Sequence, residues 1–219
     1  MDGPAGVGKS TVGNLVAKSL GYHFINTGEM YRALTWKCLE DGIDLKDPEA
    51  VTGLAKRLHW EFKPTEEGGT TLRTFIDGQG VTQQIREERV SENSSTVAAI
   101  SEVRKFLCRL QRKLGAGGGV VMEGRDITTH VFPDADFKIY LDASIEERAD
   151  RRYRQLKSAG QDVDRQKIKE AILTRDLNDL KRKINPLSQA ADAVLIDSTH
   201  MPMHEVAEKI IRMIGAHGR

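Results

Sequence analysis

Apolar residues recur at helical spacing from Lys9 to about Leu20, with Val12, Leu15, Val16 and Leu20 on one stripe that Gly21 ends. A short strand follows over Tyr22, His23, Phe24 and Ile25, in which a lone His23 reads as a packed or surface residue. Asn26-Thr27-Gly28 turns the chain into a second helix carrying Tyr31 and Arg32, and Asp47-Pro48-Glu49 caps a third that reaches about Leu58. From His59 to about Gly80 the pattern shifts. Trp60, Phe62, Leu72, Phe75 and Ile76 lie among Gly68-Gly69 and Asp77-Gly78, which predicts short antiparallel strands in a small insert on the sheet edge. Gln83 to Leu114 reads mostly helical, broken near Ser91 to Thr96.

Three apolar runs come next: Val120-Val121-Met122, Phe137 to Leu141, and Ala193 to Ile196. Strands of this kind separated by helices predict a parallel sheet with helices on both faces. Ser144-Ile145-Glu146-Glu147 is a capping box for a helix to about Lys157. Asp164 caps another that runs past Arg182, and the last helix carries Val206, Ile210, Met213 and Ile214 on one face. No repeat, low-complexity stretch or linker divides the chain.

One segment is not explained by patterning. Gly3-Pro4-Ala5-Gly6-Val7-Gly8-Lys9-Ser10-Thr11 fits the phosphate-loop pattern G-x-x-x-x-G-K-[ST]. Its glycines let backbone N–H groups converge on an anion, and the helix behind adds its free N–H groups and dipole. Lys9 is placed to reach the β- and γ-phosphates of a nucleoside triphosphate, and the Ser10 hydroxyl to hold Mg²⁺. Only Met1 and Asp2 precede the loop, where a buried strand is expected. The first strand is therefore read as truncated, and this form is expected to be of low stability or weak activity. About five apolar residues added upstream should raise its melting temperature.

Composition narrows the partners. The chain has 219 residues, 39% apolar and 30% charged, with a net charge of +1. That is an ordinary soluble chain without a global field for nucleic acid or membrane. No apolar run approaches membrane-spanning length and no signal peptide precedes the loop. Cys38 and Cys108 are isolated, read as reduced and packed, and the cytoplasm is the expected compartment. Nothing calls for more than a monomer.

Local charge clusters carry the remaining chemistry. Arg175, Asp179 and Arg182 stand at i, i+4 and i+7 on one helix face, as an ion-pair ladder or as arginine forks for phosphate beside a carboxylate for a sugar hydroxyl. Gly124-Arg125-Asp126 stands at the carboxyl end of a strand, where open α/β sheets bind ligands. Arg148, Arg151, Arg152 and Arg154 read as a solvated face, or as a lid bringing positive charge over a transferred phosphoryl group. A regulatory GTPase would carry the same loop, but no guanine-reading N-K-x-D motif comes after the later strands.

These segments together resemble the bacterial cytidylate kinases, within the nucleoside monophosphate kinase group of P-loop proteins. The resemblance lies in GPAGVGKST at 3–11, NTGEMYRA at 26–33, DGQGVTQQIR at 77–86, SSTVAAISEVR at 94–104, GRDITTHVFPDADFKIYLDAS at 124–144 and TRDLNDLKRKINPLSQAADAVLIDS at 174–198. It implies one α/β domain over 1–219: a three-layer P-loop kinase with a parallel central sheet, a monophosphate-binding insert at about 59–90 and a short lid at about 148–165.

It also implies roles. Gly3 to Thr11 would bind ATP, with Lys9 catalytic and Arg151 and Arg152 closing from the lid. Thr27, Ser95, Arg104 and Asp126 would read cytosine; Tyr31, Arg32 and Arg125 would surround the acceptor phosphate. Arg175 and Asp179 would contact the nucleotide sugar and its surroundings, and Arg182 would complete the charged ring. The implied reaction is transfer of the γ-phosphoryl group of ATP to CMP or dCMP with Mg²⁺. Another monophosphate kinase, acting on UMP or AMP, is the nearest competitor, and a P-loop protein without kinase activity is a more distant one. Three positions depart from the family pattern and bear on acceptor affinity: Asn26 for the common aspartate, Glu29 for a small residue and Thr128 for the usual glycine.

Overall fold

Helix α1 (Lys9–Leu20) begins inside the Gly-rich loop, as the spacing predicts, and buries Val12, Val16 and Ala17 along one side. In a computed structural model, which describes residues 1–64 and 68–217, the chain forms two compact units: Gly21–Glu123, and Met1–Leu20 with Gly124–Arg219.

In Gly21–Glu123, β1 (His23–Asn26) leads into α2 (Thr27–Glu40) and α3 (Pro48–Arg57). Then come β2 (Trp60–Pro64), β3 (Thr71–Ile76), β4 (Gln79–Gly80), α4 (Glu88–Ala99), α5 (Ser101–Gly115) and β5 (Val120–Glu123). The sheet order is β2-β3-β1-β5, with β4 also on β3. Strand β1 is parallel to β5 (Phe24 opposite Val121) and to β3 (Phe24 opposite Thr71), while β2 and β4 run antiparallel to β3. The turn-rich segment after His59 thus forms the expected antiparallel strands, and β3 joins them to β1 of the same sheet.

Asp47 caps α3 by accepting from the Glu49 and Ala50 N–H groups at 3.0 Å each. Met30, Leu34, Leu54, Val97, Val103 and Leu107 fill one core that joins α2 to α4 and α3 to α5. Each fully buried large aliphatic stabilises by about 1.5–3 kcal/mol. Both cysteines are free thiols. Cys38 is fully buried, and desolvation, helped by the Asp41 charge, pushes its thiol up to about 12.

The other unit adds β6 (Ile139–Asp142), α6 (Ile145–Ser158), α7 (Arg165–Lys181), β7 (Val194–Asp197) and α8 (Met203–His217). Strands β6 and β7 pair in parallel, α1 packs on α8, and α6 on α7. Ser144 and Asp164 cap α6 and α7 as their sequences predict. Asp2 bridges Tyr140 in parallel, donating to the Ile139 carbonyl and accepting from the Leu141 N–H at 2.9 Å each. No helix among the described residues is long and apolar enough to cross a membrane.

Two boundaries differ from the sequence expectation. The helical stretch after Gln83 is interrupted at Glu87 (φ −55, ψ 145), after one 3₁₀ turn over Gln84–Arg86, and at Ile100, whose extended backbone (φ −72, ψ 117) turns its side chain against the core, and not at Ser91 to Thr96. Helix α7 stops at Lys181 and does not run past Arg182. Arg182 is its extended C-cap (φ −62, ψ 141), and the Asp179 carbonyl accepts from the Leu187 N–H at 2.9 Å. That return bond from beyond the helix replaces the next helical turn.

Candidate nucleotide site

The phosphate loop leaves its bridge to β6 through Gly3, at φ +147. A Cβ there would be driven into the Leu141 backbone carbonyl, so both the dihedral and the close approach demand glycine. Beyond Gly3, side-chain cations capture the loop's carbonyls one after another. Lys9, buried at 6% exposure, donates from Nζ to the Gly3 and Pro4 carbonyls at 2.7 and 2.6 Å. The Ala5 carbonyl accepts from Arg148 at 3.0 Å and the Val7 carbonyl from Arg151 at 3.1 Å. The Ala5 and Val7 carbonyls, whose peptides carry the Gly6 and Gly8 N–H groups, thus have their negative ends taken by cations. Ser10 and Thr11 stand in the first turn of α1, both exposed.

Past β5 lies Gly124-Arg125-Asp126, and after it a wide π-type turn, Ile127–Val131. Arg125 donates from Nε to Asp179 Oδ2 at 2.8 Å. Arg182 reaches Asp179 Oδ1 at 3.3 Å and stands 3.6 Å from Asp126 Oδ1. Burial pushes the Asp179 carboxyl up, but the Arg125, Arg175 and Arg182 charges outweigh it and hold the group below the usual carboxylate range. Arg125, Asp126, Arg175, Asp179 and Arg182 are therefore one cluster, assembled from the end of α7 and the segment after β5.

In Gly21–Glu123 a second set gathers around α2. Thr27 donates its hydroxyl to the Glu123 carbonyl at 2.7 Å. Arg32 donates to the Ile85 carbonyl at 3.0 Å and to Ser91 Oγ at 2.7 Å. The buried Arg104 guanidinium lies 5.3 Å from the centroid of the Tyr31 ring, a cation–π contact, and reaches the Ala98 carbonyl at 3.2 Å. Ser95 is half-buried on α4. Glu29 is buried and paired with Arg73 at 2.7 Å; desolvation, against Arg73 and with Glu123, leaves its carboxyl above the ordinary value.

The four arginines of α6 have different partners. Arg148 is buried against Asp176, Arg151 bonds Val7, Ser198 and Glu147, Arg152 is half-buried on Gln155, and Arg154 is exposed. Sequence reading overlooked Asp2 and Asp176. Asp2 is fully buried, and its carboxylate accepts from the Ile127 N–H, the Thr128 N–H and the Thr128 hydroxyl at 2.9, 2.7 and 2.7 Å. The unusual Thr128 is thus tied to the residue that precedes the loop. The available signal was position: Asp2 adjoins the phosphate loop and Asp176 adjoins Arg175.

Parallel strands between helices and a Gly-rich loop at the head of α1 define an α/β P-loop nucleotide-binding protein. Residues 1–216 match the family model described as cytidylate kinase. The cytidylate kinase of Pelotomaculum thermopropionicum is 46% identical over 219 residues, covering 100% of this chain and 96% of that protein. That of Bacillus subtilis is 43% identical over 219 residues, with the same coverage of 100% and 96%. A bifunctional pantoate ligase/cytidylate kinase from Synechococcus sp. (strain JA-3-3Ab) is 46% identical over 213 residues, and this chain spans 39% of its length. The chain belongs to the cytidylate kinase family.

Proposed function

We propose that this chain transfers the γ-phosphoryl group of ATP to CMP or dCMP, giving ADP and CDP or dCDP. The family match over residues 1–216 carries the choice of acceptor. The acceptor is already an anionic phosphate oxygen, so the reaction needs neither a covalent intermediate nor a strong general base. The protein's task is alignment and charge neutralisation.

Lys9 would turn from the Gly3 and Pro4 carbonyls onto the donor phosphates, whose other oxygens would meet backbone N–H groups of the loop from Gly6 to Thr11. Arg32, Tyr31 and Arg125 would hold the acceptor phosphate, and Thr27, Ser95, Arg104 and Asp126 the cytosine. Arg175 and Asp179 would meet the sugar, Arg182 would complete the charge around it, and Arg151 and Arg152 would act from the lid. Cytosine offers acceptors at N3 and O2 and a donor at N4, which suits arginine and hydroxyl donors beside one carboxylate.

Mg²⁺ bound with ATP would spread the phosphate charge. No cluster of three metal-ligating side chains exists among the described residues, while the Ser10 hydroxyl is exposed at the start of α1. That donor set fits an ion held chiefly by the nucleotide. We read 1–219 as one kinase domain, with a monophosphate-binding insert at about 59–90 and a lid at about 148–165, active as a cytoplasmic monomer.

The test is ADP formation from ATP with CMP, dCMP, UMP, AMP and dTMP offered separately. CMP or dCMP should give the highest kcat/KM. A clear preference for UMP or AMP would reassign the acceptor, and no turnover with any of them would overturn the kinase reading.

A further inference from the structure

Arg148 and Asp176 are given no contact with either nucleotide above, yet both are buried charges that end on the phosphate loop. Asp176 Oδ1 accepts from the Ala5 N–H at 2.8 Å, and Arg148 Nη1 donates to the Ala5 carbonyl at 3.0 Å. The same Arg148 Nη1 pairs with Asp176 Oδ2, and its Nε is fixed on the Ala143 carbonyl at 3.1 Å. One residue of the loop is therefore gripped through both of its polar backbone groups, one from each arm of the α6/α7 pair.

Packing reinforces the grip. The Ala5 methyl sits in an apolar cluster with Ala149, Ile168 and Ile172 from the same two helices. Gly6 (φ +79) lies so close to α6 that an added Cβ would stand 3.3 Å from Arg148 Cβ.

A glycine-rich loop has many conformations to lose when it wraps an anion. Residues that hold it in the wrapped shape beforehand reduce that loss and so raise affinity without touching the ligand. The pair also does something a neutral contact could not. It turns the Ala5 carbonyl, whose negative end would repel phosphate, onto a guanidinium, and takes the Ala5 N–H out of the set facing the anion.

We propose that Arg148 and Asp176 are positioning residues that pre-shape the phosphate loop for the donor nucleotide. The inference rests on the kinase reading only in naming that ligand as ATP or ADP. Because both side chains act through one residue, removing either should have the effect of removing both.

The experiment is calorimetric titration of ADP, and separately of CMP, into wild type, Asp176→Asn, Arg148→Lys and the double variant, with urea midpoints as the check on folding. Asp176→Asn retains the volume and one acceptor but loses the ion pair. Arg148→Lys retains the charge but cannot span Asp176, Ala5 and Ala143 with one ammonium group.

The expected result is ADP affinity lower by fivefold or more in each single variant, no further loss in the double variant, and CMP affinity within twofold of wild type. Any other pattern in folded protein overturns the proposal, notably equal weakening of ADP and CMP, which a merely structural ion pair would give. Unfolding of both single variants also overturns it, since the pair would then serve to hold α6 to α7. The titrations need no turnover. If wild type neither binds nor phosphorylates CMP, the choice of acceptor fails while the ADP arm still decides the role of the pair.

Discussion

Replacing Asp2 by alanine isolates what one buried carboxylate contributes. Its backbone pairing with Ile139 and Leu141 does not involve the side chain, so the bridge to β6 survives the change. The change removes the acceptor for three donors, the N–H groups of Ile127 and Thr128 and the Thr128 hydroxyl. Ile127 and Thr128 are 3% and 2% exposed, so water cannot replace the carboxylate. A buried donor left without its partner costs about 1–3 kcal/mol. The hydroxyl can rotate to another acceptor, but the two backbone groups cannot, which gives about 4 kcal/mol for Asp2→Ala. Asp2→Asn keeps one acceptor and turns an amide NH₂ toward the remaining donors, for about 2 kcal/mol, and Thr128→Val removes one bond of the three, for about 1 kcal/mol. The assay is urea denaturation followed by far-UV circular dichroism at neutral pH, with stabilities compared by linear extrapolation. The three variants should rank in that order. If Asp2→Ala costs less than about 1 kcal/mol, the carboxylate does not anchor the turn after Arg125-Asp126 and the reasoning is wrong.

Two further perturbations probe the loop and the charged cluster. Gly3→Ala should destabilise by about 3–5 kcal/mol, from a left-handed dihedral and a clash with the Leu141 backbone. Gly160→Ala, also at positive φ but with open space around its Cβ, should cost about 1 kcal/mol, and equal urea midpoints for the two would refute the close approach. The third prediction concerns pH. Asp179 is held below the usual carboxylate range when folded, so its stabilising contribution is complete above the unfolded value of about 4 and fades as pH falls through the lower folded value. The stability gap between wild type and Asp179→Asn should therefore be constant from about pH 5 to 8 and shrink below about pH 4; a gap that is flat or widens on acidification contradicts the arginine cluster.

How much of this was legible beforehand depended on whether the signal was local. The strands β1, β5, β6 and β7 were found because short apolar runs between turns have few other uses. The caps at Asp47, Ser144 and Asp164 were found because a side chain three residues from its target acts within one turn. The break at Ile100 was misplaced because a polar, serine-rich stretch suggested an interruption at 91–96, whereas the chain turns where a half-buried isoleucine packs against the core. Helix α7 was extended too far because Arg182 continues the i, i+4, i+7 spacing although its backbone has already left the helix. The Arg125–Asp179–Arg182 cluster gathers two residues that helical spacing had singled out and one that its place at the end of a strand had. Asp2 and Asp176 were not legible. Each adjoins a recognised residue, but the loop and turn partners that give them their roles, Thr128 for Asp2 and Ala5 for Asp176, lie 126 and 171 residues away.

That difference bears on what the phosphate-loop motif encodes. The pattern specifies glycines and a lysine, and those residues permit a cradle without imposing one: a loop free at Gly3, Gly6 and Gly8 could as readily point carbonyls at the anion. Orientation comes from cations outside the glycine positions. Lys9 takes the carbonyls of Gly3 and Pro4, Arg148 that of Ala5 and Arg151 that of Val7. Arg148 and Arg151 are themselves balanced, by Asp176 and by Glu147, so the loop gains oriented dipoles without a large net charge being buried beside it. Transplanting the nine-residue motif alone into another helix start should accordingly yield a weak anion site, because Lys9 would travel with it but Arg148 and Arg151, which take the Ala5 and Val7 carbonyls, would remain behind on α6.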